Sequence, residues 1–150
     1  MIGIMIDTKK LTIISIVIHF FVGIGAMAGG MGAILSPEAP MGMPVDAMRL
    51  GPFTNYLIPG IVLFSLIGLG NVISGFWSIK RGKFYEYGTG MMGAFLIGWL
   101  VIQCIILLSI HYLHVIFFVI GSIQGIIALV LLKKKNMFPW TIVNRCRILK

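Results

Sequence analysis

The 46 residues from Tyr87 to Leu132, YGTGMMGAFLIGWLVIQCIILLSIHYLHVIFFVIGSIQGIIALVLL, contain no Asp, Glu, Lys or Arg. A helix rises about 1.5 Å per residue and needs about 20 apolar residues to cross a hydrocarbon core of about 30 Å, so this run is long enough to cross twice. Its only break is His111-Tyr112-Leu113-His114, amphipathic residues suited to a short turn at an interface. The run therefore predicts a hairpin of two spans, 89–109 and 114–132.

Two shorter uncharged runs precede it. Leu11 to Ser36 has 26 residues and Leu50 to Ile79 has 30, each enough for one crossing, which places spans at 11–35 and 57–79. The expected fold is all-α: a four-transmembrane-helix bundle forming a single integral membrane domain over 1–150, with an outer loop at 37–56 and a basic tail at 133–150. Composition agrees. The chain is 59% hydrophobic and 11% charged, with a mean hydropathy of +1.04, whereas a water-facing globular surface raises the charged share to about 25%. Disorder is excluded as well, because disordered segments are poor in apolar residues.

The placement of charge orients the bundle. Lys9 and Lys10 precede the first span; Lys80, Arg81 and Lys83 follow the second; Lys133, Lys134, Lys135, Arg145, Arg147 and Lys150 follow the fourth. Only Arg49 falls on the other side, so the positive-inside rule predicts that the N-terminus and the C-terminus are both cytoplasmic. The net charge of +8 is thus a topology signal. No nucleic-acid partner is expected, since the basic residues flank spans and do not interleave with aromatic ones. Lys9, Lys10 and the small residues Ala26-Met27-Ala28 also resemble a cleavable leader, but the uncharged run continues to Ser36 and favours a retained first span.

Four prolines and two glycines prevent a regular helix over most of Pro37 to Tyr56, which reads as a solvated connector or as a cap over the bundle. Phe53 and Tyr56 are expected as aromatic anchors at the outer interface. The tail, with its basic run and Met137, Phe138, Pro139 and Trp140, is expected to lie along an anionic leaflet as a topological anchor.

Inside a bilayer, helices associate through close packing and interhelical hydrogen bonds, because lipid tails are as apolar as Leu. Small residues four apart mark candidate contact faces: Gly25 with Gly29, Ala26 with Gly30 and Ala28 with Gly32 in the first span, Gly70, Ser74 and Ser78 in the second, Gly90, Ala94 and Gly98 in the third, and Gly121 with Gly125 in the fourth. Pro59 sits near the start of the second span, where a missing N–H costs little.

No Asp, Glu, Lys or Arg lies inside the expected spans, which argues against a proton-coupled exporter, since such a protein needs a membrane carboxylate. The strongest polar positions are His19, Asn71, Gln103 and Gln124. By helical rise, His19 and Asn71 each lie about 12 Å from the inner boundary, Gln103 about 9 Å and Gln124 about 15 Å from the outer one. Equal depth makes a His19–Asn71 hydrogen bond an expected interhelical clasp, with another partner for His19, or a proton or ligand site there, as alternatives. His19 is roughly 20 Å from the depth of His111 and His114, too far to share a haem. His111 and His114, three apart, read as interfacial residues, and Cys104 and Cys146 as unpaired thiols. Neither Gly68-Leu69-Gly70 nor Gly88-Thr89-Gly90 has the context of a nucleotide fingerprint. No metal and no cofactor is expected.

The stretch Gly51-Pro52-Phe53-Thr54-Asn55-Tyr56-Leu57-Ile58-Pro59-Gly60, followed by Leu63-Phe64 and Gly68-Leu69-Gly70-Asn71, resembles an uncharacterised family of small four-span bacterial integral membrane proteins. The resemblance extends to Gly29-Gly30, to Trp99 with Gln103, and to Gly121, over about residues 20–130. The loop motif of that group begins Ser-Pro-Phe, and Gly51 stands here in place of the Ser. The resemblance implies fold and location, a multi-pass protein of the bacterial plasma membrane, and no activity. From the residues alone, Trp99 and Gln103 share one helical face, as packing or as an aromatic platform beside an amide. The expected role is non-enzymatic: a structural or accessory component of a membrane complex, with the lipid bilayer and a homo-oligomer or membrane protein as partners. An oligomeric passive channel or small-molecule transporter is the alternative, and a lipid- or quinone-acting enzyme a weaker one.

Overall fold

The computed structural model describes residues 7–48 and 50–142. Arg49, Arg145, Cys146, Arg147 and Lys150 therefore lie outside the described residues. Four helices are long and apolar enough to cross a membrane: α1 Thr8–Leu35, α2 Leu57–Ile79, α3 Tyr85–Leu107 and α4 Tyr112–Lys134. Asp7 caps α1 by accepting the Lys9 N–H at 2.9 Å, satisfying one of the donors that a helix start leaves open. At 28 residues, α1 is about 42 Å long and exceeds a hydrocarbon core of about 30 Å. Each helix touches the next in sequence, and α4 returns to α1, so the four close into a ring.

Of the boundaries that differ from the sequence expectation, two have structural consequences. The hairpin turn falls at residues 108–111, ending on His111, with Tyr112, Leu113 and His114 already in α4, because Leu108 takes a left-handed conformation (φ 48°) that ends α3. His114 then folds back, its Nδ1 accepting the His111 N–H at 3.0 Å, and caps α4. The second difference is the start of α3 at Tyr85, which brings Glu86 into the helix with only 1% of its surface exposed. A count of uncharged residues stops at such a carboxylate; the fold accommodates it by pairing it with Lys135.

Residues buried on α1 include Leu11, Ser15, His19, Val22, Ala26, Gly30 and Ala33, spaced three and four apart as one inward stripe. The α1–α2 contact is close: a Cβ added at Gly30 would sit 2.7 Å from the Phe64 backbone nitrogen, and one at Gly60 would sit 2.7 Å from the Ala33 Cβ. Between α3 and α4 the equivalent place is Gly93, where a Cβ would come within 2.7 Å of the Gly121 carbonyl. Of the glycines expected at packing faces, Gly30, Gly70, Gly90 and Gly121 are at close contacts, and Gly25, Gly29 and Gly125 are looser. Gly125 has nothing within 4 Å of its Cβ direction, Gly25 has only the edge of Phe117 at 4.0 Å, and Gly29 meets Leu63 at an ordinary 3.5 Å. One residue is about 100° of helix, so Gly29 and its neighbour Gly30 point in different directions, and the inward polar stripe selects Gly30.

The middle of α2, Leu63–Leu69, is wound as a π-helix between α-helical segments Leu57–Val62 and Gly70–Ile79. From Ile67 within it, one buried stripe continues through Asn71, Ser74 and Ser78. Pro59 lies in the first turn of α2, whose entry is fixed by the Leu57 N–H donating to Asn55 Oδ1 at 3.1 Å. The outer loop crosses the end of the bundle: the Leu50 N–H donates to the Ile106 carbonyl of α3 at 3.0 Å, and the Tyr56 N–H to the Pro37 carbonyl at 3.0 Å. Tyr56 is buried, donating its hydroxyl to the Pro44 carbonyl at 3.2 Å, so it ties the loop and is no exposed interface anchor. Burial pushes its hydroxyl pKa above the ordinary tyrosine value.

Gly93→Val is expected to separate α3 from α4 and destabilise the bundle by about 1–3 kcal/mol, the usual range for overpacking. Gly125→Ala, facing open space, is expected to leave stability unchanged. Melting temperatures in detergent, read by size-exclusion fluorescence, would check both.

Candidate functional site

The core is layered. One apolar cluster joins Val22, Ala26, Ile67, Leu96 and Leu100; another joins Leu11, Tyr85, Ile127 and Leu131. Between them along the helices lie Ser15 and His19 of α1, Asn71 of α2, Thr89 of α3 and Gln124 of α4, all with 0% exposure. Each helix thus contributes to a polar layer enclosed by hydrocarbon.

The chemistry of that layer follows from one backbone contact. Asn71 Nδ2 donates to the Ile67 carbonyl at 2.9 Å, which fixes the amide so that Oδ1 faces the other helices. His19 Nδ1 lies 2.8 Å from that oxygen. Since Oδ1 can only accept, Nδ1 carries the proton and donates. Gln124 Nε2 donates to the same oxygen at 2.9 Å, so helices α1 and α4 converge on one acceptor of α2. The 3.3 Å approach of Gln124 Nε2 to His19 Nδ1 is then two donors side by side. With Nδ1 protonated, the neutral ring has Nε2 as an acceptor, and Thr89 Oγ1 lies 3.1 Å from it.

Thr89 has a single proton and two acceptors in reach, His19 Nε2 and the Tyr85 carbonyl at 3.2 Å. The carbonyl already belongs to the helix ladder, whereas Nε2 has no other donor among the described residues, so Thr89 donates to the ring. Ser15, 3.3 Å from Thr89 Oγ1, supplies that oxygen with its own proton. The Thr89 hydroxyl serves either charge state of the ring: turned to the Tyr85 carbonyl, it accepts from a doubly protonated imidazole. Gln124 Oε1 is the one buried atom of the layer without a partner.

A second constellation occupies the end of the bundle that holds Asp7 and Lys135. Thr12 donates to the Thr8 carbonyl at 2.9 Å, and the Tyr85 hydroxyl, 3.0 Å away, donates to Thr12. Glu86 pairs with Lys135, whose Nζ also lies 4.6 Å from the centre of the Tyr85 ring. Burial draws the Lys135 pKa down, but the hydrogen bond and charge of Glu86, with those of Tyr85, outweigh it and leave the ammonium above the ordinary lysine value.

Of the positions singled out in the sequence, His19, Asn71 and Gln124 come together, while Gln103 takes no part in the layer. Trp99 packs half-buried against the Val22 cluster, and its Nε1 is buried without a partner. Gln124 could have been placed by depth: it is eight positions from Leu132, as His19 is from Leu11 and Asn71 from Ile79, so all three share one level when counted from the same side. Ser15, Thr89 and Glu86 were not candidates. Hydroxyls are common in membrane helices, and their spacing carries no mark of a partner on another helix. Among the described residues, no three His, Cys, Asp or Glu side chains come together as a metal site. Cys104 is half-buried and unpaired.

In a double-mutant cycle, His19→Leu and Asn71→Leu are expected to show a coupling of about 0.6–1.7 kcal/mol, the range for interhelical hydrogen bonds in membranes. Reversible unfolding in mixed micelles would measure it. The Lys135 contribution is complete below the lysine pKa of the unfolded chain and lost as pH rises through the raised folded value. The melting-temperature advantage of wild type over Lys135→Met is therefore expected to be constant at neutral pH and to close on the alkaline side, in a pH series of melts. No family model, curated protein or solved structure matches this chain.

Proposed function

We propose that the chain is a structural or accessory component of a membrane complex in the bacterial plasma membrane, with both termini cytoplasmic. The observation that carries this reading is that the polar layer is spent on itself. Ser15, His19, Asn71, Thr89 and Gln124 are fully buried and bonded to one another across all four helices. A conduit along the bundle axis would need these groups to face water, and Val22, Ile67 and Leu131, also at 0% exposure, fill the axis on either side. A substrate site would likewise leave acids or nucleophiles open to a ligand, whereas in this layer only Gln124 Oε1 is unpaired, and it is enclosed. The surface instead offers apolar side chains such as Val17, Phe21 and Ile24 to lipid or to a partner helix. The concentration of basic residues beyond the ends of α2 and α4 supports the cytoplasmic orientation. The place of Ser15 and His19 in the network supports a first span kept as part of the bundle.

Reciprocal affinity isolation from native membranes, with the tag first on this chain and then on the captured protein, is expected to return one membrane protein at fixed stoichiometry. Vesicles reconstituted with the purified chain are expected to leak protons and small solutes no faster than protein-free vesicles. A flux that His19→Leu abolishes would overturn the structural reading in favour of transport.

A further inference from the structure

At the end of the bundle that holds Asp7 and Lys135, a cavity of about 80 Å³ opens between α1, the α2–α3 turn and the end of α4. Its walls are Thr8, Lys9, Thr12, Arg81, Tyr85 and Lys135, so three cations from three separate segments surround it. We propose that this cavity binds the phosphate of an anionic phospholipid in the leaflet on that side. The inference rests on the chain spanning a membrane and is independent of the accessory role.

Among the described residues, the carboxylates leave the cavity only partly neutralised. The chain has four carboxylate side chains. Asp7 caps α1 at this end through a backbone N–H and keeps its charge, Glu86 is buried against Lys135, Glu38 accepts from Asn55 in the outer loop, and Asp46 is in that same loop at the opposite end of the bundle. Lys9 and Arg81 have no carboxylate within ion-pair distance among the described residues. An anion from outside would pair with these two cations.

The hydroxyls at the cavity floor are already ordered by the Tyr85-to-Thr12-to-Thr8 chain, and Lys135 is held in place by Glu86 and Tyr85. One wall of the site is therefore set before any ligand arrives, which lowers the ordering cost of binding. Arg81, at a left-handed backbone position in the turn (φ 47°), supplies a planar donor suited to phosphate oxygens. The volume is under three times the share of one liquid water, about 30 Å³, enough for a phosphate group and too small for a nucleotide. The depth favours a lipid as the source of that phosphate. The cavity sits at the first turn of α1 and the first residue of α3, where headgroups lie, and exposed Ile13, Ile14 and Phe84 follow or precede its lining residues in sequence, apolar surface available to acyl chains.

Native mass spectrometry of the detergent-purified full chain tests this, with phosphatidylglycerol, phosphatidylcholine and inorganic phosphate as separate probes. Wild type is expected to bind one phosphatidylglycerol about tenfold more tightly than phosphatidylcholine. Lys9→Gln with Arg81→Gln is expected to remove that preference, while Lys80→Gln with Lys83→Gln, the same charge taken from outside the cavity, keeps it. Both pairs are solvent-exposed, and unchanged melting temperatures would confirm folded variants; Arg81→Gln alone, expected to lose most of the preference, is the second variant if the pair fails to fold. Equal affinity for the two lipids, or equal losses in the two double variants, would overturn the site in favour of diffuse attraction. Saturable inorganic phosphate binding without a lipid preference would overturn the lipid as its occupant.

Discussion

A neutral imidazole placed among hydrocarbon must find a donor for one nitrogen and an acceptor for the other, because water is not there to supply either. His19 meets that requirement with Asn71 on α2 and Thr89 on α3, and Gln124 of α4 joins through the same Asn71 oxygen. Four helices are thereby held in one rotation and one register. A shift of a single residue on any of them turns its polar side chain about 100° away and leaves buried groups unpaired.

The contribution of such bonds is one of specificity more than strength. Interhelical hydrogen bonds in membranes average about 0.6 kcal/mol, since a chain disordered within the bilayer finds other partners. Attraction between the helices comes from close packing, at Gly30 against Phe64 and Gly93 against Gly121. Many small-residue faces would permit packing of that kind. The polar layer decides among them, which is why Gly30 is buried at the α2 contact while Gly25 is exposed.

The two ends of the bundle are closed by different chemistry. At one end the proline-rich loop is stitched down by Leu50 to Ile106 and by Tyr56 to Pro44, contacts that a proline run cannot make with its own backbone donors. At the other, a buried carboxylate that would be costly alone is admitted because Lys135 reaches back over Tyr85 to meet it. The charge left over at that end is positive, and it surrounds a cavity.

The amino-acid sequence by itself determined that the chain has four segments long and apolar enough to span a membrane, roughly where they run and which polar residues lie at one depth. Length, hydropathy and rise per residue are properties of single segments and need no neighbour to evaluate them. It located His19 and Asn71 at one level for the same reason. Only the tertiary structure decided which face of each helix turns inward, that Gln124 and Thr89 complete the layer while Gln103 does not, and that Glu86 belongs inside a helix. Those outcomes depend on angular position around an axis and on a partner tens of residues away, as with Glu86 and Lys135, and neither is expressed in the local pattern of a span.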